Sequence, residues 1–374
     1  MPNNTTLNLP KQNIISNESE PIIQAWSIPD TVPIPQIPMI YPIEKTHVIV
    51  KKIPPSIITS NISNHLKQNS IAHTIDSNNP CIAKCSTFNH VNFIIRLYSV
   101  AASSDILVEL QRVSGCAVAF HSTCKHVLNA AKGENDANKS EKVYLKPCLE
   151  QSSRPKLSSR PSKMFNSSSN QERIQECLEL VNSLLKKDRI DANLLGIQSL
   201  QMLTNPDISG LDSAIIASKV VLYGAPHNCI KEKVQLLVQH CRLHEDDDES
   251  EEEQDEFEYK HYSQMRNHAL CILSNSLEIL SSQGMLQLEE DSWLANTFVS
   301  ILLSDLKQSS LRPHDGTMSA KCLCILVKQS NAIRQRALKR GAMDILYSTL
   351  LFSRCANDSL TDKLESPYLA LNCK

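Results

Sequence analysis

From Ile174 to Leu350 the apolar residues recur at the helical period with little interruption, and this pattern commits half of the chain to helices. Ile174, Leu178, Val181 and Leu185 fall at i, i+4, i+7 and i+11. The same spacing returns in Ile230, Val234, Leu237 and Cys241, in Met265, Ala269, Ile272 and Leu273, and in Leu294, Phe298, Ile301 and Leu302. It returns once more in Ile333, Ala337, Ile345 and Leu350. No run in this half alternates with period two as a strand would. Ser169-Asn170-Gln171-Glu172 has the form of a capping box, which predicts a helix start near residue 171. Turn residues punctuate the pattern at Asn205-Pro206, Gly210, Gly224-Ala225-Pro226, Gly284, Pro313 and Gly316.

The half is also similar to itself. Ser199-Leu200-Gln201-Met202-Leu203-Thr204-Asn205, Ala269-Leu270-Cys271-Ile272-Leu273-Ser274-Asn275 and Cys322-Leu323-Cys324-Ile325-Leu326-Val327-Lys328 share a small-Leu-x-apolar-Leu core at spacings of 70 and 53. These segments resemble the third, inner helix of armadillo repeats. Asn331 to Leu346, with Gly341 between two apolar-periodic stretches, resembles the first helix, bend and second helix of a following repeat. The resemblance covers about 171–351 and implies an armadillo-like solenoid whose stacked helices bury faces that none can bury alone, leaving an extended concave groove. It further implies that extended partner segments are held through asparagines of the inner helix. Asn205 and Asn275 match those positions, and Lys328 stands at the third. The aromatic places of such grooves hold Gln201, Cys271 and Cys324 instead, and an asparagine at a helix end also serves as a plain C-cap.

Between the first two segments, Glu245 to Glu258 carries eleven acidic residues in fourteen. Like charges at that density repel, so an acidic loop over 245–258 is expected to interrupt the stack and to account for the longer first spacing. It reads as a solvated spacer, as a docking site for a partner with basic segments, or as a screen for Arg334, Arg336, Lys339 and Arg340. Ser250, followed by Glu251-Glu252-Glu253, is a candidate for phosphorylation by an acid-directed kinase. Residues 352–374 read as a C-terminal tail or frayed helix.

The first half differs in composition. Residues 1–44 hold eight of the eighteen prolines among Asn, Ser and Thr, which predicts a disordered, extended tail, with Ile28 to Ile43 as a possible polyproline-type ligand. Over 45–133 a small α+β domain is expected: a strand at His47 to Val50, a helix from Pro54-Pro55 with Ile58, Ile62 and Leu66 on one face, and a strand at Cys81 to Ser86. Strands with alternating apolar residues follow at Val91 to Tyr98 and Ile106 to Val113. Cys116 to Phe120 lies beyond Gly115, and a last helix is capped by Ser122 and stopped by Gly133. Phe93-Ile94-Ile95-Arg96-Leu97-Tyr98, then Ile106 to Val113 and Ser114-Gly115, then the closing helix, resemble the kinase-associated C-terminal domain of some protein kinases. Neither His-Arg-Asp nor Asp-Phe-Gly occurs in the chain, so no kinase motif accompanies it. The resemblance implies docking onto anionic phospholipid or another protein; Lys51, Lys52, Arg112, Lys125 and Lys132 are the cations that lipid docking would use, or they are ordinary surface charges. Residues 134–170 read as a flexible Ser/Arg/Pro linker, with Ser152-Ser153-Arg154-Pro155 echoed in Ser158-Ser159-Arg160-Pro161.

Chemistry is conspicuous by what the residues exclude. Glycine numbers eight, where ordinary usage gives about 26, and no two lie within ten positions, so no phosphate-cradling loop exists. His-Glu-x-x-His and Gly-x-Ser-x-Gly are missing, and the acidic cluster is too loose to position a proton transfer. Aromatics form only 5% of the chain and do not interleave with basic residues, which argues against nucleic acid. Cys81, Cys85, His121, Cys124 and His126 read as zinc ligands or, at their loose spacing, as buried thiols and surface imidazoles. Thirteen scattered cysteines, no secretory leader pattern and no long apolar run predict a reducing cytoplasmic or nuclear setting. The expectation is a non-enzymatic scaffold without cofactors that binds extended protein segments in a helical-repeat groove, or alternatively a peripheral membrane adaptor that binds anionic phospholipid.

Overall fold

The computed structural model describes residues 26–100, 104–134, 167–224, 228–239, 252–289 and 292–372. Its first unit is a five-stranded antiparallel sheet built from β1 (His47–Val50), β2 (Ala72–Ile75), β3 (Ile82–Ser86), β4 (Asn92–Ser99) and β5 (Ile106–Ser114), in the order β1-β5-β4-β3-β2. Two helices, α1 (Pro55–Gln68) and α2 (Ala117–Ala131), pack together on one face. The alternation read in the sequence sets that face: Phe93, Ile95 and Leu97 point inward opposite Cys85, Ala83 and Val108, against Ile58, Ile62, Leu66 and Phe120.

Three features of this unit depart from expectation. Residues 26–44 are not free tail: Trp26 and Ile28 are 1% and 0% exposed within the core. The Trp26 indole N–H donates to the Pro80 carbonyl at 2.8 Å, its backbone N–H donates to Ser63 Oγ at 3.2 Å, and the Ile28 N–H donates to Thr59 Oγ1 at 3.2 Å. Proline removes donors but not apolar area, and a tryptophan with a seat is worth burying. The strap then crosses the outer sheet face, where the Tyr41 hydroxyl and the Glu44 N–H donate to the fully buried Glu109 carboxylate at 2.7 and 2.6 Å. That cover explains why Ile106 to Leu110 is buried on both faces although its residues alternate in direction. Residues 1–25 lie outside the described residues.

The second departure is that α2 begins at Ala117, so Cys116 to Phe120 is no strand and Ser122 no cap. Gly115 forces this turn. It sits at φ +97°, and a Cβ there would lie 2.6 Å from the His90 carbonyl oxygen and 2.7 Å from Val91 Cα. The third is β2, an edge strand with no apolar run of its own.

The second unit is helical throughout the described residues. It comprises α3 (Ser167–Leu185), α4 (Ile190–Leu203), the short α5 (Pro206–Ser209), α6 (Leu211–Tyr223), α7 (Asn228–Gln239) and α8 (Glu252–Ser282). A π-helical turn (Leu294–Phe298) then leads into α9 (Val299–Lys307), followed by α10 (Pro313–Gln329), α11 (Asn331–Lys339), α12 (Ala342–Ala356) and α13 (Asp358–Asn372). One continuous core runs from Ile174 to Leu371. The three self-similar segments fall in or at the end of α4, α8 and α10, and α8 packs against both of the others. Boundaries shift in three places. Helix α3 starts at Ser167, which puts Ser169 inside the helix instead of at its cap. Residues 252–258 of the acidic run belong to α8, so the helix claims half of the expected loop; 245–251 fall outside the described residues, as does most of the linker. The C-terminal residues are no tail, since α13 packs along α10 and α12 and buries Leu360, Leu364 and Leu371.

Trp26→Ala should therefore behave as a core truncation, lowering unfolding free energy by about 3–5 kcal/mol in a urea titration, whereas replacing the exposed Pro29 by Ala should leave it nearly unchanged.

Candidate functional site

A concavity in the helical unit opens where the chain turns from α3 into α4. Gly196 makes that corner possible: its missing Cβ would stand 2.9 Å from Leu185 Cδ2, so α4 can lie directly against the end of α3. The intervening turn is fixed by Asn193, whose Nδ2 donates to the carbonyls of Lys187 at 3.1 Å and Arg189 at 3.0 Å. The resulting groove has a volume of about 860 Å³ and is walled by residues 185–191, 193–195 and 198, by Lys233 on α7 and by His261 and Tyr262 on α8. Leu195 and Tyr262 are 53% and 45% exposed within it. Lys186, Lys187, Arg189 and Lys233 bring positive charge to the lining; Asp188 and Asp191 oppose it, and Asp191 is held below the ordinary carboxylate range by its hydrogen bonds from Arg189.

Beside the groove, α7 to α10 are locked by a buried ion-pair cluster that no sequence pattern announced. Arg266 on α8 donates from Nη2 to Asp305 on α9 at 2.6 Å, from Nη1 to Asp315 on α10 at 2.7 Å and from Nε to the Val238 carbonyl of α7 at 3.3 Å. Asn267 Nδ2 donates to the second Asp315 oxygen, and the Ser319 hydroxyl to the second Asp305 oxygen. All three charged side chains are at most 7% exposed. Burial pushes the Asp305 carboxyl up while Arg266 pulls it down. The one available signal was an aspartate at an inward position of Leu302 to Leu306. Sealed in this way, the carboxylates hold helices together and do not face a substrate.

The candidates named from sequence are scattered. Asn205 caps α5, its side chain accepting from the Asp207 N–H at 2.9 Å. Asn275 lies within α8, half-buried. Lys328 at the end of α10 donates to Ser366 of α13 at 2.8 Å, so the segment expected to be a tail or frayed helix occupies the ground beside it as a packed helix. None of the three lines the groove at the α3–α4 corner. Of the lipid candidates, all five are exposed, but the strand register separates them: Lys51 continues β1 past the Val50–Ile106 pair, while Arg112 lies six residues along β5, about 20 Å away. Arg112 also donates to the Gly115 carbonyl at 2.8 Å. Lys125 and Lys132 lie on α2, and Lys52 just after β1. Ser250 is outside the described residues. Burial raises the thiols of Cys81, Cys85 and Cys124, the last to about 11, His126 stacks on His65, and no group of three or more metal-ligating side chains occurs among the described residues. Likewise, no helix among them is long and apolar enough to cross a membrane.

No family model, curated protein or solved structure matches the chain.

Arg266→Met should cost about 3–5 kcal/mol of stability, because it strands two buried carboxylates. Adding Asp305→Asn and Asp315→Asn should restore part of that loss in the same denaturant titration.

Proposed function

We infer that the chain is a non-enzymatic interaction scaffold, armadillo-like in its helical half, whose helical unit holds an extended segment of a partner protein. The observation that carries this reading is the groove at the α3–α4 corner: it is open, long enough to be walled by three helices, and combines exposed apolar side chains with a basic rim. Apolar anchors ringed by charge are what peptide-binding surfaces use for affinity and register respectively. The chemistry of the lining selects a segment with a large apolar residue flanked by acids. Support against an enzymatic reading comes from the buried state of strongly perturbed groups: Asp305, Cys271 and Cys322 are buried among helices and do not line the groove. The phospholipid reading receives no such support, since Lys51 and Arg112 stand about 20 Å apart along the sheet.

The test is direct binding of fluorescent extended peptides of matched length and acidic, neutral or basic character. Acidic peptides with a central Leu or Phe should bind the full-length protein best, with affinity falling as salt rises. The triple change Lys186→Glu, Lys187→Glu, Lys233→Glu should weaken them about tenfold or more, as expected for several partly exposed charge pairs acting together, without altering far-UV circular dichroism. Equal binding of all three peptide classes, or indifference to the triple change, overturns the reading.

A further inference from the structure

The β3–β4 turn of the sheet unit is pressed into the helical unit by an unusual set of residues. His90 at its tip has a positive φ of +57°, a strained state for a residue with a Cβ. Its ring meets that of His268 on α8 edge-on, with centroids 5.0 Å apart. Phe88 of the same turn meets His314 on α10 edge-on at 5.7 Å, and His314 Nε2 lies 3.3 Å from the Ser86 carbonyl, a contact between positions 228 residues apart. His268 Nδ1 is 2.6 Å from Gln201 Oε1 of α4, an amide oxygen that can only accept, so Nδ1 carries the proton and Nε2 is left with a lone pair. The Nε2 atoms of His90 and His268 are both buried, with no hydrogen-bond partner among the described residues.

We propose that this contact is an acid-sensitive joint: His90, His268 and His314 hold the sheet unit against the helical unit while uncharged, and their protonation separates the two.

The geometry gives the sign. A second proton on His268 goes to the buried Nε2, on a ring whose centroid lies 5.0 Å from that of His90, and a proton on His90 completes a like-charge pair in a buried site. From the packed helices, Asp315 on α10 favours protonation of His90 and His314 and the Asn267 side chain on α8 favours that of His90, while His314 opposes a charge on His90; the Asp315 oxygens are already occupied by Arg266 and Asn267. Burial outweighs it, taking His90 down to about 4 and His268 to about 3, and lowering His314. Exposed imidazoles titrate near 6.5. Between about 6.5 and 4 the separated units therefore bind protons that the joined ones refuse. The open fraction grows by up to about tenfold per pH unit for each such histidine. Polar contacts across the boundary also include the Ser359 N–H to Ser70 Oγ at 3.1 Å and the exposed Lys67–Asp358 pair at 3.7 Å, and a screened surface pair of that kind resists opening weakly.

Small-angle scattering of the full-length protein from pH 7.5 to 4.5, with far-UV circular dichroism on the same samples, tests the joint. The expected result is an increase in radius of gyration below pH 6 at unchanged helicity, with the midpoint moved down by at least one pH unit in His90→Gln/His268→Gln. A constant radius across the range, expansion only together with loss of helicity, or the same midpoint in the double variant overturns the proposal. Should the double variant fail to fold, the histidine ring Cε1–H resonances of the unmodified protein decide. Two rings that titrate along the expansion curve support the joint, and all rings titrating near 6.5 without expansion refute it.

Discussion

The guanidinium of Arg266 is the point from which the helical unit is organised. Four helices meet at it, two through carboxylates and one through a backbone carbonyl, and each carboxylate spends its remaining lone pairs on Asn267 or Ser319. An apolar contact in the same place would tolerate sliding by a residue or a small rotation. A five-donor fork matched to two carboxylates does not, so the cluster sets the mutual register of α8, α9 and α10 more than it adds net stability. Helix α8 in turn carries one groove wall at its N-terminal side and the histidine contact two residues beyond Arg266. Both surfaces thus inherit their position from one buried side chain.

How much of this was readable beforehand follows from the range of the forces involved. Periodicity reports burial of one face, and it placed β1, β4, α1, α11 and α12 closely, down to the turn at Gly341, whereas Gly316, read as a break, lies inside α10. It reported nothing about Trp26, because a single large apolar residue in a Pro-rich stretch has no period; its burial depends on a seat made by Ser63 and Pro80. Strand β2 was missed for the same reason: Ala72-His73-Thr74-Ile75 is extended because β3 supplies a ladder, not because its own residues demand it. The acidic run misled in the other direction. Charge repulsion predicts a loop, yet the backbone is helical from Glu252, where the run leads into the packed part of a 31-residue helix.

The candidate sites divide in the same way. Asn205, Asn275 and Lys328 came from matching one segment against another, which locates equivalent helices but says nothing of their neighbours, and the last is tied to Ser366 of α13. Lys186, Lys187 and Lys233 form a rim only because Gly196 lets two helices close up; in the sequence they are ordinary surface cations. His90, His268 and His314 are legible only across the boundary between units. Each looks like a surface imidazole within its own segment, and the partner that dehydrates it lies in the other half.

The strap from Trp26 to Glu44 carries a consequence for how the molecule is made. Its residues leave the ribosome before any part of their seat exists: Ser63 and Pro80 follow later, and Glu109, which receives Tyr41 and Glu44, later still. For that interval the indole and the neighbouring isoleucine have nowhere to go, and β4 and β5 have an uncovered outer face. The strap can therefore be enclosed only after Glu109 has been made, although its own residues precede every strand of the sheet.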